Sequence, residues 1–302
     1  MTHVLTKLPY RFLSVKGIDA EKFLQGQCSC DLRELESDNF TLGTLNDPKG
    51  RMYGLFKIIR IKDGFLASFE QSTFDTALSK LNKYAVFFKC ELLETNYSSF
   101  GSDSREIQGV FPNFDSKATK IGDDHCLAIK LPGQHQLYEI WANSEASSFY
   151  DPKHDNACVL NDWLACETLD GIPQLYEQTQ GKFILQELNL QELGAVSFKK
   201  GCYTGQEIIA RIKFLGKSKK RMFLLQGTTN SVSSGRQPSL GAAVHTATGQ
   251  KIGKLIRFHS SQSAGLVALA VLNQDLIKDS EEVYIEDLEA ELLKVQDINY
   301  KA

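Results

Sequence analysis

The sequence predicts an α+β fold that ends in a small β-barrel or sandwich, and two observations predict it. Between residues 10 and 94, short runs of β-branched and aromatic residues alternate with stretches of helical apolar spacing. From Arg221 onward only short β-type runs remain, separated by Ser, Gly and Asn turns. With 302 residues the chain can form two or three packed units. Its 42% hydrophobic and 24% charged residues are the proportions of an ordinary water-soluble protein.

In chain order, Arg11–Val15 reads as a strand ending at Gly17, and Asp19 is the expected cap of a helix through Ala20–Leu24. Residues 40–46 form another strand. Asn46-Asp47-Pro48-Lys49-Gly50 then makes a turn in which proline and glycine each fill a usual turn role. Strands follow at Met52–Arg60 and Phe65–Phe69 across the Lys62-Asp63-Gly64 turn. Phe74, Ala77, Leu78, Leu81 and Ala85 repeat at helical spacing, and Val86–Leu93 returns to strand. This order matches the split βαβ, ferredoxin-like plan with one extra strand.

Residues 95–155 read as a second α+β unit, with β-type pieces at Cys126–Leu131 and Leu137–Ala142. A helix over 158–169 stops at Asp170-Gly171-Ile172-Pro173. The later strands are expected at Met222–Gln226, Ala242–His245, Lys254–Phe258, Gly265–Val271 and Glu282–Ile285. The expected division is 1–94, to which parts of 158–220 contribute, then 95–220, then a barrel over 221–302.

A net charge of −3 gives no global attraction to nucleic acid or to an anionic membrane. The start, Met1–Lys7, lacks the apolar core of a signal peptide. The apolar run Leu266–Leu272 is far short of a membrane span. Seven scattered cysteines argue against a disulfide framework and point to a reducing cytoplasm.

The chemistry concentrates in Lys199-Lys200-Gly201-Cys202-Tyr203-Thr204-Gly205-Gln206-Glu207. Thr204 and Glu207 have the spacing of a capping box at the start of a helix running on through Ile208–Ile212. That places Cys202 two residues outside a positive helix end and beside two lysines, conditions that favour thiolate. The bland reading is a small cysteine in a tight turn. The span 199–221 holds eight basic residues against one acid, a local charge of +7, suited to phosphate, carboxylates or an acidic partner. The bland reading there is a solvated face, and with only Tyr203 and Phe214 interleaved, tight nucleic-acid binding is the weaker alternative. Cys28-Ser29-Cys30 has no second pair and reads as structural, and the six histidines have no metal-ligand spacing, so no metal site is expected. Phosphate-loop, nucleophile-elbow and zincin patterns are absent from the sequence.

The stretch Lys199–Glu207 followed by Ala210-Arg211 resembles the signature of the YgfZ-type folate-binding, tRNA-modifying proteins, relatives of the glycine-cleavage T-protein aminomethyltransferase. Phe23-Leu24-Gln25-Gly26-Gln27, Pro48-Lys49-Gly50-Arg51-Met52, Lys83-Tyr84-Ala85-Val86-Phe87, Gly171-Ile172-Pro173, Asn189-Leu190-Gln191 and Gly194–Phe198 resemble further landmarks, in order, over residues 10–221. The resemblance implies a ring of two ferredoxin-like domains and a C-terminal β-barrel around a central channel. It also implies tetrahydrofolate as ligand and a role in assembling or repairing iron–sulfur enzymes, including those that thiolate tRNA, with direct tRNA binding through the basic 199–221 stretch as the weaker alternative. Tyr10 and Trp163 fall where the family places folate-associated aromatics, Tyr10 standing where tryptophan is familiar. Cys202 falls on the signature cysteine, and Lys200, Gly201, Tyr203, Thr204, Gly205, Gln206, Glu207 and Arg211 on its motif neighbours. Leu185-Gln186 replaces a usual proline-glutamine. The strand Met52–Phe56 lacks the carboxylate that the T-protein enzymes carry after their glycine turn, so the resemblance points away from aminomethyl transfer, the alternative activity.

Overall fold

The computed structural model describes all residues except 1–4, 105, 112–118, 151–156, 217, 228–236, 262–263, 278–281, 289–290 and 301–302. His3, His154 and Lys217 therefore lie outside the described residues. The chain begins with β1 (Thr6–Leu8), β2 (Tyr10–Lys16), α1 (Ala20–Gln27), β3 (Phe40–Asn46), β4 (Met52–Ile61), β5 (Gly64–Glu70), α2 (Gln71–Ala85) and β6 (Glu91–Thr95). It continues through β7 (Ser98–Ser102), α3 (Glu106–Val110), β8 (Lys120–Gly122), β9 (Cys126–Lys130), β10 (Tyr138–Ala142) and α4 (Ala157–Leu169). The last third holds α5 (Gln206–Leu215), β11 (Lys220–Gln226), β12 (Ala243–Thr246), β13 (Lys251–Ser261), β14 (Gly265–Asn273), β15 (Glu282–Ile285) and β16 (Leu293–Gln296).

The first sheet runs β3-β4-β5-β2-β6, every pair antiparallel. With α1 after β2 and α2 after β5, this is the strand order of the split βαβ plan, and β3 is the added edge. Both faces of this sheet are covered over β2, β4 and β5, so these strands read as nearly continuous apolar runs. On β2, Leu13 and Val15 join Phe23, Leu24, Phe74 and Leu81 of the two helices. Tyr10 and Phe12 point the other way, into a core shared with Leu127, Ile129, Trp141 and Trp163.

The second sheet runs β1-β7-β10-β9-β8, again antiparallel. Its outer strand comes from the N-terminus, with Thr6 opposite Gly101 and Leu8 opposite Ser99. Pro9 separates β1 from β2, and having no N–H to give a ladder it marks the step from one sheet to the other. Sheet membership thus cuts across the expected division at residue 94. β11-β14-β13-β12-β15-β16 close into a six-stranded barrel at the C-terminal end, starting one residue before the expected boundary. Leu255, Ala268, Ala270, Leu272 and Val283 fill its inside, while Met222, Leu224, Leu269 and Val271 pack outward on Leu185, Leu188 and Leu190 of the connecting segment.

Two local expectations are corrected. Asp19 precedes α1 but makes no side-chain cap; its carboxylate accepts the Lys89 N–H at 2.8 Å instead. Val86-Phe87 is not strand. Val86 is 76% and Phe87 80% exposed, the chain turns there, and pairing resumes only at Glu91.

α4 places Trp163 flat against Gly101 of β7, where an added Cβ would stand 2.8 Å from the indole ring. Gly101→Ala is therefore expected to cost about 1–3 kcal/mol by overpacking, measured by urea unfolding. An unchanged midpoint would show that the ring has room to move.

Candidate functional site

Four charged side chains from four elements of the fold meet in the interior. Lys57 comes from β4, Glu139 from β10, Glu167 from α4 and Arg257 from β13, and none is more than 5% exposed. On β4 the neighbours Phe56 and Ile58 face the helices, so the pleat sends Lys57 to the opposite face. Lys57 Nζ lies 2.5 Å from Glu139 Oε1 and 3.6 Å from Glu167 Oε1. Arg257 donates to Glu167 Oε2 at 2.5 Å and to the Ile172 carbonyl at 3.0 Å. The second oxygen of Glu139 accepts from Trp141 Nε1 at 3.0 Å. Two cations thus face two carboxylates, the balance that buried charge requires.

The electrostatics follow from burial and pairing. Burial alone would lower Lys57, but Glu139, Tyr10 and Glu167 outweigh it and hold the ammonium above the usual lysine range. Arg257 behaves alike, with Glu167 as its main support. Burial, then Glu167, raises the Tyr10 phenol. His259 accepts from Arg257 Nε at 3.0 Å; burial and that neighbouring guanidinium push its imidazole down to about 2.

Both expected aromatics are in this region. The Lys57 ammonium sits 4.4 Å over the Tyr10 ring, and the Tyr10 hydroxyl accepts from Gln174 Nε2 at 3.0 Å. Trp163, 6% exposed, donates to the Ser102 carbonyl at 3.4 Å. They belong to one apolar cluster but do not flank an open slot. Tyr10, Leu55, Lys57, Ser68 and Gln174 line a void of about 10 Å³, and Trp163 is not among its walls. That is room for about one water. Ser68 Oγ, buried in this wall, has no hydrogen-bond partner among the described residues, and one water in the void would satisfy it. A pterin ring does not fit in it as it stands.

The cysteine motif is organised differently from the expectation. α5 starts at Gln206 behind Gly205, whose φ of 84° is left-handed, and no side chain caps the helix. The Thr204–Glu207 capping box does not form, and Cys202 stands three residues before the cap position. An added Cβ on Gly205 would come within 2.6 Å of the Asp47 carbonyl. Glycine is therefore needed for backbone shape and for contact with the Asn46–Gly50 turn. Lys200 is 4% exposed, and its ammonium donates to the Cys28 and Cys30 carbonyls at 2.8 and 2.7 Å. It anchors the loop inward instead of flanking the thiol. Tyr203 is buried beside it, the Lys200 ammonium 5.2 Å from its ring. Thr204 N–H donates to the Gly26 carbonyl at 3.3 Å and Ser197 N–H to the Ser29 carbonyl at 2.9 Å. What this scaffold leaves in solvent is Cys202, and Gly201, Glu207 and Arg211 of the motif are exposed as well.

Cys28 and Cys30 are buried with their sulfurs 3.7 Å apart. The hydrogen bond from Cys30 draws Cys28 below the usual thiol range, and that bond together with burial pushes Cys30 up. The +7 stretch does not act as one face. Lys200 is spent inward, Arg221 pairs with Asp297, and Lys219 lies 3.6 Å from Asp275. Among the described residues no cluster of three or more His, Cys, Asp or Glu is arranged to hold a metal. No helix among them is long and apolar enough to cross a membrane.

The charge cluster was not anticipated, yet it left a signal. Lys57 and Glu139 are single charges inside Leu55-Phe56-Lys57-Ile58-Ile59 and Tyr138-Glu139-Ile140-Trp141, where a buried strand tolerates charge only with a partner.

Gly205→Ala is expected to lower stability by about 1–3 kcal/mol, whereas Gly201→Ala, with nothing within 4 Å of an added Cβ, is expected to leave it unchanged; thermal unfolding of both variants decides, and equal effects would contradict the assignment. His259 has a folded value far below the ordinary 6.5. Its contribution is present above 6.5 and is lost as pH falls toward the folded value, by at most about 1.4 kcal/mol per pH unit. Unfolding free energies between pH 7 and 5 should therefore fall less steeply in His259→Gln than in the parent. Equal slopes would contradict a neutral His259.

No protein-family model matches the sequence. Among solved structures, the crystal structure of glycine cleavage system aminomethyltransferase T from Bartonella henselae matches with a TM-score of 0.72 at 14% identity. The match covers 99% of this chain and 86% of that one. At that identity the likeness is one of fold, here a mixed α/β chain with a closed six-stranded barrel at its C-terminal end.

Proposed function

We propose that this chain is a tetrahydrofolate-binding accessory protein of the cytoplasm that supports the assembly or repair of iron–sulfur enzymes, among them those that thiolate tRNA. In this reading the two sheets with their helices are ferredoxin-like domains, set with the barrel as a ring around the buried charges. The observation that carries the choice of accessory protein over transferase is Lys57. The strand after the Gly50 turn delivers an ammonium to the junction, tied to Glu139 and Glu167. Aminomethyl transfer needs a group free to handle protons beside the folate nitrogen, and both glutamates here are committed to cations.

Folate binding is supported by the fold shared with an aminomethyltransferase, and by Tyr10 and the unpartnered Ser68 hydroxyl at the central void. Tyr10 offers a ring for stacking, with Trp163 in the cluster behind it. Entry of the pterin then requires the wall of Leu42, Leu55 and Ile172–Gln174 to part. Cys202, held outward by a loop anchored on Lys200, supplies thiol chemistry toward the client enzyme.

Anaerobic calorimetry with tetrahydrofolate tests the reading. Binding is expected in the parent and in Cys202→Ala, with Tyr10→Ala weaker by about tenfold, the worth of one stacked ring. In cells, Cys202→Ala is expected to lower the activity of a tRNA-thiolating iron–sulfur enzyme. Absence of folate binding would overturn the proposal, and steady formation of methylene-tetrahydrofolate from an aminomethyl donor would move the chain to the transferases.

A further inference from the structure

Cys28 and Cys30 are in sulfur–sulfur contact, and the loop that presents Cys202 is built on them. The chain leaves α1 extended at Cys28, with φ −103° and ψ 159°, and pairs there with Leu45. In extended backbone alternate residues share a face, so both sulfurs point one way, 3.7 Å apart, with the Cys30 thiol donating to Cys28. Gly43 leaves room for this, since a Cβ there would stand 2.7 Å from Cys30 Sγ. Ser29, between the two, is clamped. Its hydroxyl donates to the Ala195 carbonyl at 2.6 Å and accepts from Thr44 N–H at 2.9 Å, and its carbonyl accepts from Ser197 N–H at 2.9 Å.

Two features suit this pair to oxidation. A disulfide needs the sulfurs to close from 3.7 Å to about 2.05 Å, a small closure between side chains already in contact. Cys28 also stands below the usual thiol range, because Cys30 donates to it and the Lys200 ammonium is near, and thiolate is the species that attacks an oxidant. Both residues are at most 2% exposed, which admits a small oxidant through local opening and keeps a protein disulfide out. An open cleft lined by Asp31, Ser197 and Lys199 brings solvent to the residue beside Cys30.

We propose that Cys28 and Cys30 are a peroxide-sensitive dithiol switch that sets the Cys202 loop. The Cys28 thiolate attacks one oxygen of hydrogen peroxide, the O–O bond breaks, and Cys28 becomes a sulfenic acid while the departing hydroxide is protonated to water. The Cys30 sulfur then displaces the sulfenic hydroxyl, which leaves as water with the Cys30 proton. The dithiol loses two electrons and two protons, and the peroxide becomes two waters. The coupling to Cys202 runs through Lys200, whose ammonium holds the carbonyls of these same two cysteines at 2.8 and 2.7 Å. Closing a ring across one clamped residue turns those carbonyls and loosens that grip. A bridge this short restrains little unfolded chain and is of the strained, labile kind that thiols reopen.

Peptide mapping of the full chain tests the switch. After hydrogen peroxide and alkylation of the remaining thiols, the peptide holding Cys28 and Cys30 is expected to have lost two hydrogens and to carry no alkyl group. Dithiothreitol is expected to restore both alkylation sites. The same result is expected in Cys202→Ser, and no bridge in Cys30→Ala. Hydrogen exchange of the 199–205 peptide, followed in Cys202→Ser so that the exposed thiol does not react, reads the coupling. Closing the pair is expected to speed it about tenfold, the weight of one charge-assisted hydrogen bond at Lys200. Both thiols still alkylated after peroxide has converted Cys202, a bridge from either of them to Cys202, or exchange over 199–205 unchanged by the bridge would each overturn the proposal. These readouts need neither folate nor a client enzyme, so they stand apart from the proposed function.

Discussion

Lys57, Glu139, Glu167 and Arg257 are the constraint on which the rest of the structure depends. Each comes from a different element, and each is buried past the point where an ion survives without a counter-charge. The first sheet, the second sheet, α4 and the barrel therefore cannot be placed independently. Moving any one of them by a few ångströms strands a charge in an apolar interior. Hydrophobic clusters that cross the same boundaries supply area, but area is tolerant of small shifts and a hydrogen-bonded ion pair is not. The cluster thus fixes the register between units, while the apolar contacts hold them together.

The same division of labour appears in the cysteine loop. Lys200, Tyr203 and Gly205 are inward residues. One holds two carbonyls of the Cys28–Cys30 turn, one fills the core, and one allows the backbone to pass Asp47. Their spacing leaves Cys202 on the outside of a rigid bend. The motif therefore presents a thiol at a fixed place. The amphipathic helix that follows contributes Ile209 to the core, and on its exposed side the Lys213 ammonium lies 5.4 Å over the Phe198 ring.

Much of the architecture was legible because the local pattern and the global fold agree. The apolar runs along Arg11–Val15, Met52–Arg60 and Phe65–Phe69 gave strands whose two faces lie in different cores, and the helical spacing of Phe74–Ala85 gave α2. What stayed hidden has physical reasons. β1 belongs to the second sheet, and no local period records which partner a three-residue strand finds far along the chain, as Thr6 finds Gly101. Val86-Phe87 carries β-type residues but is left in solvent, so composition misleads there. Thr204 and Glu207 have capping spacing, yet the left-handed Gly205 between them changes where the helix begins. The expected aromatics at Tyr10 and Trp163 do share a cluster. The charge that defines that region went unread because a lone lysine in an apolar strand does not name its partner.

The central claim is that the buried charges form one interdependent unit. A double-mutant cycle on Lys57→Met and Glu139→Gln, measured by chemical unfolding, tests it most directly. Each single change is expected to cost about 3–5 kcal/mol by stranding its partner. The double variant should lose less than the sum, with a coupling of about 1–3 kcal/mol. Additive losses would contradict the account.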